Sequence, residues 1–310
     1  MSRKIGIVTV LYNSESVLEE FFETLSTQTH TNFVLYVVDN LSPDNSLAVS
    51  KKLASYYQFE TVIIENDANY GVAKGNNIGI RKAIEDQCDF VLLSNNDIAL
   101  ENEAIEKLLA GLHKYNADMI VPKIYFYGTH KIWAAGGGFN KRNGITIQYG
   151  QEEEDNGQFN TDKQVTYAPT CFMLIKKVVF DSVGMMDENY FVYYDDTDFV
   201  HRALNKKQKR LWYISNSVIY HNESTSTGKM SDFSIRFLWR NLVYFALKNY
   251  NPFYAGYVIV YNFLYILIIL YFRYTRHQWL IALKAYKEGL NLYLNSKLNQ
   301  KKIISNGAYF

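Results

Sequence analysis

Apolar and polar positions alternate in a regular rhythm along the first two thirds of the chain. Runs of β-branched and aromatic residues at Lys4–Tyr12, Phe33–Val38, Thr61–Glu65 and Phe90–Ser94 read as strands, each ending in a polar cluster. Between them lie stretches of helical periodicity. One follows Ser16, where Glu19 and Glu20 complete a capping-box start and Val17, Leu18, Phe21, Phe22 and Leu25 form the apolar face. Others run from Ser46 to Tyr57, from Asn76 to Glu85 after the glycine-containing loop 66–75, and from Glu103 to Lys114. Strands alternating with helices of about a dozen residues predict an α/β fold with a doubly wound, mostly parallel sheet.

Downstream the rhythm loosens. Met119–Pro122 is a short strand, and 133–162 reads as an irregular, partly acidic excursion. Thr166–Ile175 restores a strand, and Lys177–Val183 forms a short helix ended by Gly184. An aromatic strand at Tyr190–Tyr194 precedes Asp195, Asp196 and Asp198, and final strands follow at Arg210–Ile214 and Val218–His221.

Parallel strands align their carboxyl ends along one edge, where open α/β sheets bind ligands. That edge collects Asn13, Asp39, the loop Asn69–Asn77 with Gly71, and the turn Ser94-Asn-Asn-Asp97, which includes Asn95 and Asn96. Asparagine and aspartate oxygens converging there suit a metal and a diphosphate. Asp39 has two readings, an Asx-turn acceptor before Ser42-Pro43 or an acceptor for a nucleoside base or ribose. At the second acidic cluster, one or two carboxylates suit a helix N-terminus, and three crowd one another. Crowding raises at least one pKa, so one acid suits a general base while another pairs with Arg202 to stiffen the turn. His221, at a strand end, is open to a metal role.

Charge divides the chain. Residues 1–226 carry 21 Lys+Arg and 29 Asp+Glu, whereas 227–310 carry 11 and 2. The basic part also holds an uncharged stretch from Asn249 to Phe272, so its anionic partner is expected to be a membrane and not nucleic acid. Abundant tyrosine in this stretch favours helices on the inner leaflet, followed by a helix at Trp279–Leu294; a homodimer through these helices and a single spanning helix are the alternatives. Two cysteines exclude a disulfide framework, no leader is evident, and a cytoplasmic location is expected. The two domains are therefore placed at 1–226 and 227–310.

Six ordered motifs carry a resemblance. They are Val37-Val-Asp-Asn40 with Ser42 and Ser46, Asn69-Tyr-Gly71 with Gly75-Asn-Asn77, Leu93-Ser-Asn-Asn-Asp97, Gly184 with Asp187, Tyr193-Tyr-Asp-Asp-Thr-Asp198 with Arg202, and Tyr220-His221. Together they resemble a family 2 glycosyltransferase of the GT-A type, similar to bacterial rhamnosyltransferase-like members that build surface polysaccharides. The resemblance implies an inverting transfer from a nucleotide diphosphate sugar, foremost dTDP-rhamnose, with UDP-linked galactose, galactofuranose or N-acetylhexosamine behind it. The implied acceptor is a saccharide carried on lipid.

By the same likeness, Thr9, Tyr12, Asn13, Asp39, Asn69, Gly71, Asn77 and Asn96 surround the nucleotide. Asn95, Asp97 and His221 hold Mg²⁺ or Mn²⁺, Asp196 is the base with Asp195 its alternate, and Asp198 and Arg202 give support. Asn95 stands where the family more often has aspartate, leaving one formal charge in that motif. A nucleotidyltransferase is the rival enzyme reading, although it wants a basic glycine-rich loop after the first strand, and Thr9–Ser14 has none. A sugar-binding scaffold without catalysis is the other.

Overall fold

The computed structural model describes residues 4–222 and 231–305. It divides into two compact units, one of Met1–Phe139, Thr146–Phe191 and Asp195–Ser226, the other of Asn140–Ile145, Val192–Tyr194 and Thr227–Phe310. The boundary expected at residue 226 lies outside the described residues.

In the first unit β1 (Ile5–Leu11), α1 (Leu18–Ser26), β2 (Phe33–Asp39), α2 (Ser46–Tyr56), β3 (Glu60–Glu65), α3 (Gly71–Glu85) and β4 (Phe90–Ser94) form the alternating half. There β3, β2, β1 and β4 lie side by side and parallel, with Leu11 opposite Asp39 and Asp39 opposite Glu65. β2 and β4 are buried throughout, as their unbroken apolar runs require, whereas β3, at the sheet edge, is half-buried or exposed. The chain then adds β5 (Ile98–Leu100), α4 (Ala104–Lys114), β6 (Met119–Phe126), β7 (Ile132–Ala134), β8 (Gly137–Phe139), β9 (Thr146–Gln148), β10 (Lys163–Val165), β11 (Phe172–Lys176), α5 (Lys177–Val183), α6 (Asp195–His201) and β12 (Leu211–His221). β11 inserts antiparallel between β4 and β6, so the sheet is mixed here, and β12 lies parallel to β6. The fold class is the α/β one expected from the alternation.

Several local expectations give way to packing. A single 3₁₀ turn at Glu15–Val17 precedes α1, so Ser16 lies inside that turn and caps nothing. α3 begins at Gly71 and not at Asn76, because Gly75 and Gly79 serve close packing on β1 and do not mark a loop. A Cβ on Gly79 would stand 2.4 Å from Val8 Cγ1, and one on Gly75 would stand 2.8 Å from Val10 Cγ1. The excursion at 133–162 contains β7, paired with β6, and the β8–β9 hairpin. Buried Lys123 donates to Asp155 at 2.7 Å and to Asn160 at 2.6 Å, tying its acidic part down. Tyr190–Tyr194 is not a strand, since Tyr193 and Tyr194 both take left-handed backbone angles. The two final strands are one, β12, with an irregularity between Ile214 and Val218.

The second unit is helical. α7 (Asp232–Asn249) is capped by the Ser231 hydroxyl, which accepts from Ser234 N. α8 (Pro252–Tyr265) starts with Asn251 as cap and proline in its first turn, and it runs on through a wide turn to Arg273. The last helix spans Arg276–Ser305, longer at both ends than the expected 279–294. Ile235, Leu242, Val243, Val258, Ala282 and Tyr286 make this unit's own apolar core.

Candidate active site

β4 ends at Ser94, and the chain turns through Asn95, Asn96 and Asp97 into β5. Asn96 donates its side-chain amide to Val10 O at 2.8 Å, fastening the turn to the end of β1. β5 pairs antiparallel with the end of β12, placing His221 opposite Ile98, and Asn222 N donates to Asp97 O at 2.8 Å. Residues 124 positions apart are thereby brought together: His221 Nε2 lies 3.4 Å from Asp97 Oδ1 and 3.3 Å from the Asn95 amide. Trp133 stacks on the His221 ring with centroids 4.5 Å apart and fixes its plane.

Asp97 Oδ1 is buried without a hydrogen-bond partner, as is His221 Nδ1. An orphaned carboxylate oxygen beside an imidazole nitrogen is what a divalent cation would relieve. Two donors on one ion at about 2.1 Å each stand about 3–3.5 Å apart, which the Asp97–His221 spacing fits. A half-turn of the exposed Asn95 amide would add its oxygen. Among the described residues no group of three His, Cys, Asp or Glu is found, so this set holds one formal charge.

The second acidic cluster opens α6. Asp196 Oδ1 accepts from Thr197 N at 2.6 Å, and its Oδ2 accepts from the Tyr167 hydroxyl at 2.7 Å. Asp195 is buried. Loss of water, and then the charge of Asp196, pushes its carboxyl up to about 8. Burial also raises Asp196, while the Tyr167 and Thr197 donors pull the other way. The pair therefore shares its ionisation unevenly: the charge is best hosted on Asp196, where donors meet it, and the proton stays on Asp195. Asp198, fully buried, accepts from Arg202 Nε at 2.7 Å, and the same guanidinium donates to Val183 O and Met185 O, pinning the turn at Gly184.

Cys171, just before β11, borders the first acidic motif. Its carbonyl accepts from Asn95 N at 2.7 Å because β11 pairs with β4 at Phe172 and Ser94. Its buried thiol is pushed well above the usual range by desolvation and then by the charges of Asp97 and Asp196. Cys171, Tyr167 and Trp133 carried no local signal of a site role, since each gains it only through a neighbouring strand. The small and polar run Ala168-Pro-Thr-Cys171, just before β11, is the one hint.

The other expected residues are distributed unevenly. Thr9, fully buried in β1, has a hydroxyl without a partner, and Tyr12 and Asn13 are exposed where β1 ends. Asp39 is buried, and both its oxygens accept from Ser42, at 3.2 Å from the amide and 2.6 Å from the hydroxyl, which is the Asx-turn arrangement. Asn69 Oδ1 accepts from Gly71 N at 3.0 Å. Gly71 adopts φ +77°, and a Cβ there would lie 2.2 Å from Phe191 O, so no other residue fits without moving the backbone. Asn77 is fully buried, and both ends of its amide bond Met186, at 2.9 Å each, which makes it a brace for the 186–188 segment.

The model for glycosyl transferase family 2 matches residues 6–184. The chain belongs to this family. A dTDP-rhamnosyl transferase of Shigella flexneri is 29% identical over 211 residues, covering 66% of this chain and 64% of that protein. This family 2 chain thus spans under two thirds of that relative's length. An N-acetylglucosaminyl-diphospho-decaprenol L-rhamnosyltransferase of Mycobacterium tuberculosis is 24% identical, covering 74% of this chain and 79% of its own. The crystal structure of S. aureus TarS 1–349 with UDP-GlcNAc aligns with TM-score 0.61 at 15% identity, over 94% of this chain and 81% of that one, which shows a shared GT-A fold.

Proposed function

We propose that the chain is an inverting glycosyltransferase that moves a sugar, foremost rhamnose from dTDP-rhamnose, onto a lipid-linked saccharide at the inner face of a membrane during polysaccharide assembly. The observation that carries this reading is the contrast between the two carboxylates Asp97 and Asp196. One carboxylate faces an imidazole and lacks a partner; the other is held by two donors. The name of the Shigella relative supports the donor, the name of the mycobacterial relative supports a lipid-linked acceptor, and the UDP-GlcNAc complex of TarS supports a nucleotide sugar.

In this reading Asp196 accepts the proton of the acceptor hydroxyl as its oxygen attacks the anomeric carbon. The bond from that carbon to the diphosphate breaks, the electron pair leaves with the nucleotide, and configuration inverts. Tyr167 keeps Asp196 ionised and aimed, and Asp195 retains its own proton and so does not repel the developing charge. Asp97, His221 and the Asn95 amide would hold Mg²⁺ or Mn²⁺, whose chemistry is to neutralise charge on the departing diphosphate. Tyr12, Asn13, Asp39 and Asn96 line the strand ends available to the nucleotide, with Thr9 buried behind them, and Asn69 and Gly71 shape the loop beside them.

Purified protein incubated with dTDP-rhamnose, UDP-galactose or UDP-GlcNAc and Mn²⁺ is expected to release nucleotide slowly with its own donor, which also raises the melting temperature. Release should be lost in Asp196→Asn while the donor-induced shift remains. Release that survives in Asp196→Asn, or no response to any donor, would leave the scaffold reading in its place.

A further inference from the structure

By length and composition, the helix Pro252–Arg273 could cross a membrane. Its 22 residues reach about 33 Å, against a hydrocarbon core of about 30 Å. Its surroundings within the second unit forbid that role. Ala255, Val258, Asn262 and Ile266 face the helical core. On the opposite side, Phe253, Tyr257, Val260, Leu264, Ile268 and Tyr271 are exposed at steps of three and four residues, a continuous apolar stripe.

A third side is covered by the loop Asn140–Ile145. Tyr254 donates to Lys141 O at 2.8 Å, Tyr250 to Gly144 O at 2.9 Å, and Asn262, at the midpoint of the helix, to Asn143 O at 2.9 Å. Gly144 sits so close that a Cβ would lie 2.9 Å from Val258 Cγ2. This loop is irregular, and Lys141 and Arg142 on it are exposed. A helix crossing the bilayer would carry this loop into the hydrocarbon with it, the exposed Lys141 beside Tyr254 and the Arg142 guanidinium over the Tyr261 ring, where charge is costly.

We propose that Pro252–Arg273 is an in-plane anchor whose exposed stripe seats in the interface of an anionic lipid leaflet. Lying flat, the helix buries its stripe to the depth of its side chains and leaves the loop among headgroups or water. Charge selects lipid over a second copy of the chain as the occupant. Arg273 and Arg276 are exposed at the end of the stripe, and residues 227–310 carry 11 Lys+Arg against 2 Asp+Glu, so two copies would repel where an anionic leaflet attracts. This inference rests on the reading that the enzyme works at a membrane surface, but not on the identity of its base or donor.

The test is sedimentation of the full chain with vesicles of phosphatidylcholine alone or mixed with phosphatidylglycerol. Binding is expected to be on the order of tenfold or more stronger on the anionic vesicles, reduced by salt and stripped by alkaline carbonate. Val260→Asp with Leu264→Asp should abolish binding, with melting temperature and nucleotide release unchanged. External protease should reach the segment around Lys284 and Lys287 on bound protein. Resistance to carbonate together with protection of that segment would overturn the in-plane placement in favour of a crossing helix. Equal indifference to both vesicles would overturn the membrane surface itself, the more so if the double variant turns a dimer into a monomer. Nucleotide release, followed without vesicles, reports separately on the catalytic reading.

Discussion

The two acidic motifs have opposite electrostatic problems. At residues 95–97 one carboxylate stands with an amide and a histidine, and a buried oxygen lacks a partner. At residues 195–198 three carboxylates crowd one helical turn, and each is managed differently: Asp198 by Arg202, Asp196 by Tyr167 and Thr197, Asp195 by retaining its proton. The first motif is short of a partner that a cation can supply. The second has its donors and its proton within the protein. Similar residue types therefore do different work, because desolvation penalises a lone charge and a crowded one in different ways.

The largest effect expected in breaking this contrast is from Asp196→Asn, which removes the group able to receive a proton. Turnover should fall on the order of 10²-fold to 10⁴-fold with the melting temperature preserved. Next come His221→Ala and Asp97→Asn, which remove proposed cation ligands. Each should raise the Mn²⁺ concentration for half-maximal turnover on the order of 10-fold to 100-fold, and excess Mn²⁺ should restore much of the rate only for His221→Ala, which keeps the carboxylate.

Tyr167→Phe is subtler. Without the hydroxyl, Asp196 holds its proton more tightly, so the acidic limb of the rate profile should move to higher pH by about one unit, consistent with the loss of one donor to a carboxylate. An unmoved limb would return Tyr167 to a packing role.

The smallest effect concerns stability at Asp195. Its folded carboxyl is pushed up to about 8 from 3.8, so between these values the folded protein holds a proton that the unfolded chain has released. Stability from this group is therefore full below about pH 4 and is lost as pH rises toward 8. Asp195→Asn should flatten that decline, and its melting temperature relative to the parent should rise by a few degrees between pH 5 and pH 8.5.

Much was legible from local pattern. The unbroken apolar runs of β2 and β4 could only be buried on both faces, and the polar clusters that stop β1, β2 and β4 mark the edge where Asn13, Asp39 and Asp97 are found. Where the pattern misled, a distant surface was the cause. Gly71 and Gly75 resemble loop glycines but belong to a helix pressed on β1, and Tyr190–Tyr194 has strand-like composition but turns through two left-handed residues.

By itself the sequence determined the alternation of strands and helices in the first third of the chain and which oxygens and charges end at the sheet edge, because periodicity and turn chemistry act over a few residues. Tertiary structure alone decided that His221 meets Asp97, that Tyr167 steadies Asp196, and that a loop from 140–145 lies along the helix at 252–273. Each of these depends on strand order or helix packing between residues far apart in the chain. Burial raises both Asp195 and Asp196, and the Tyr167 and Thr197 donors then decide which carboxyl keeps its proton and which stays charged.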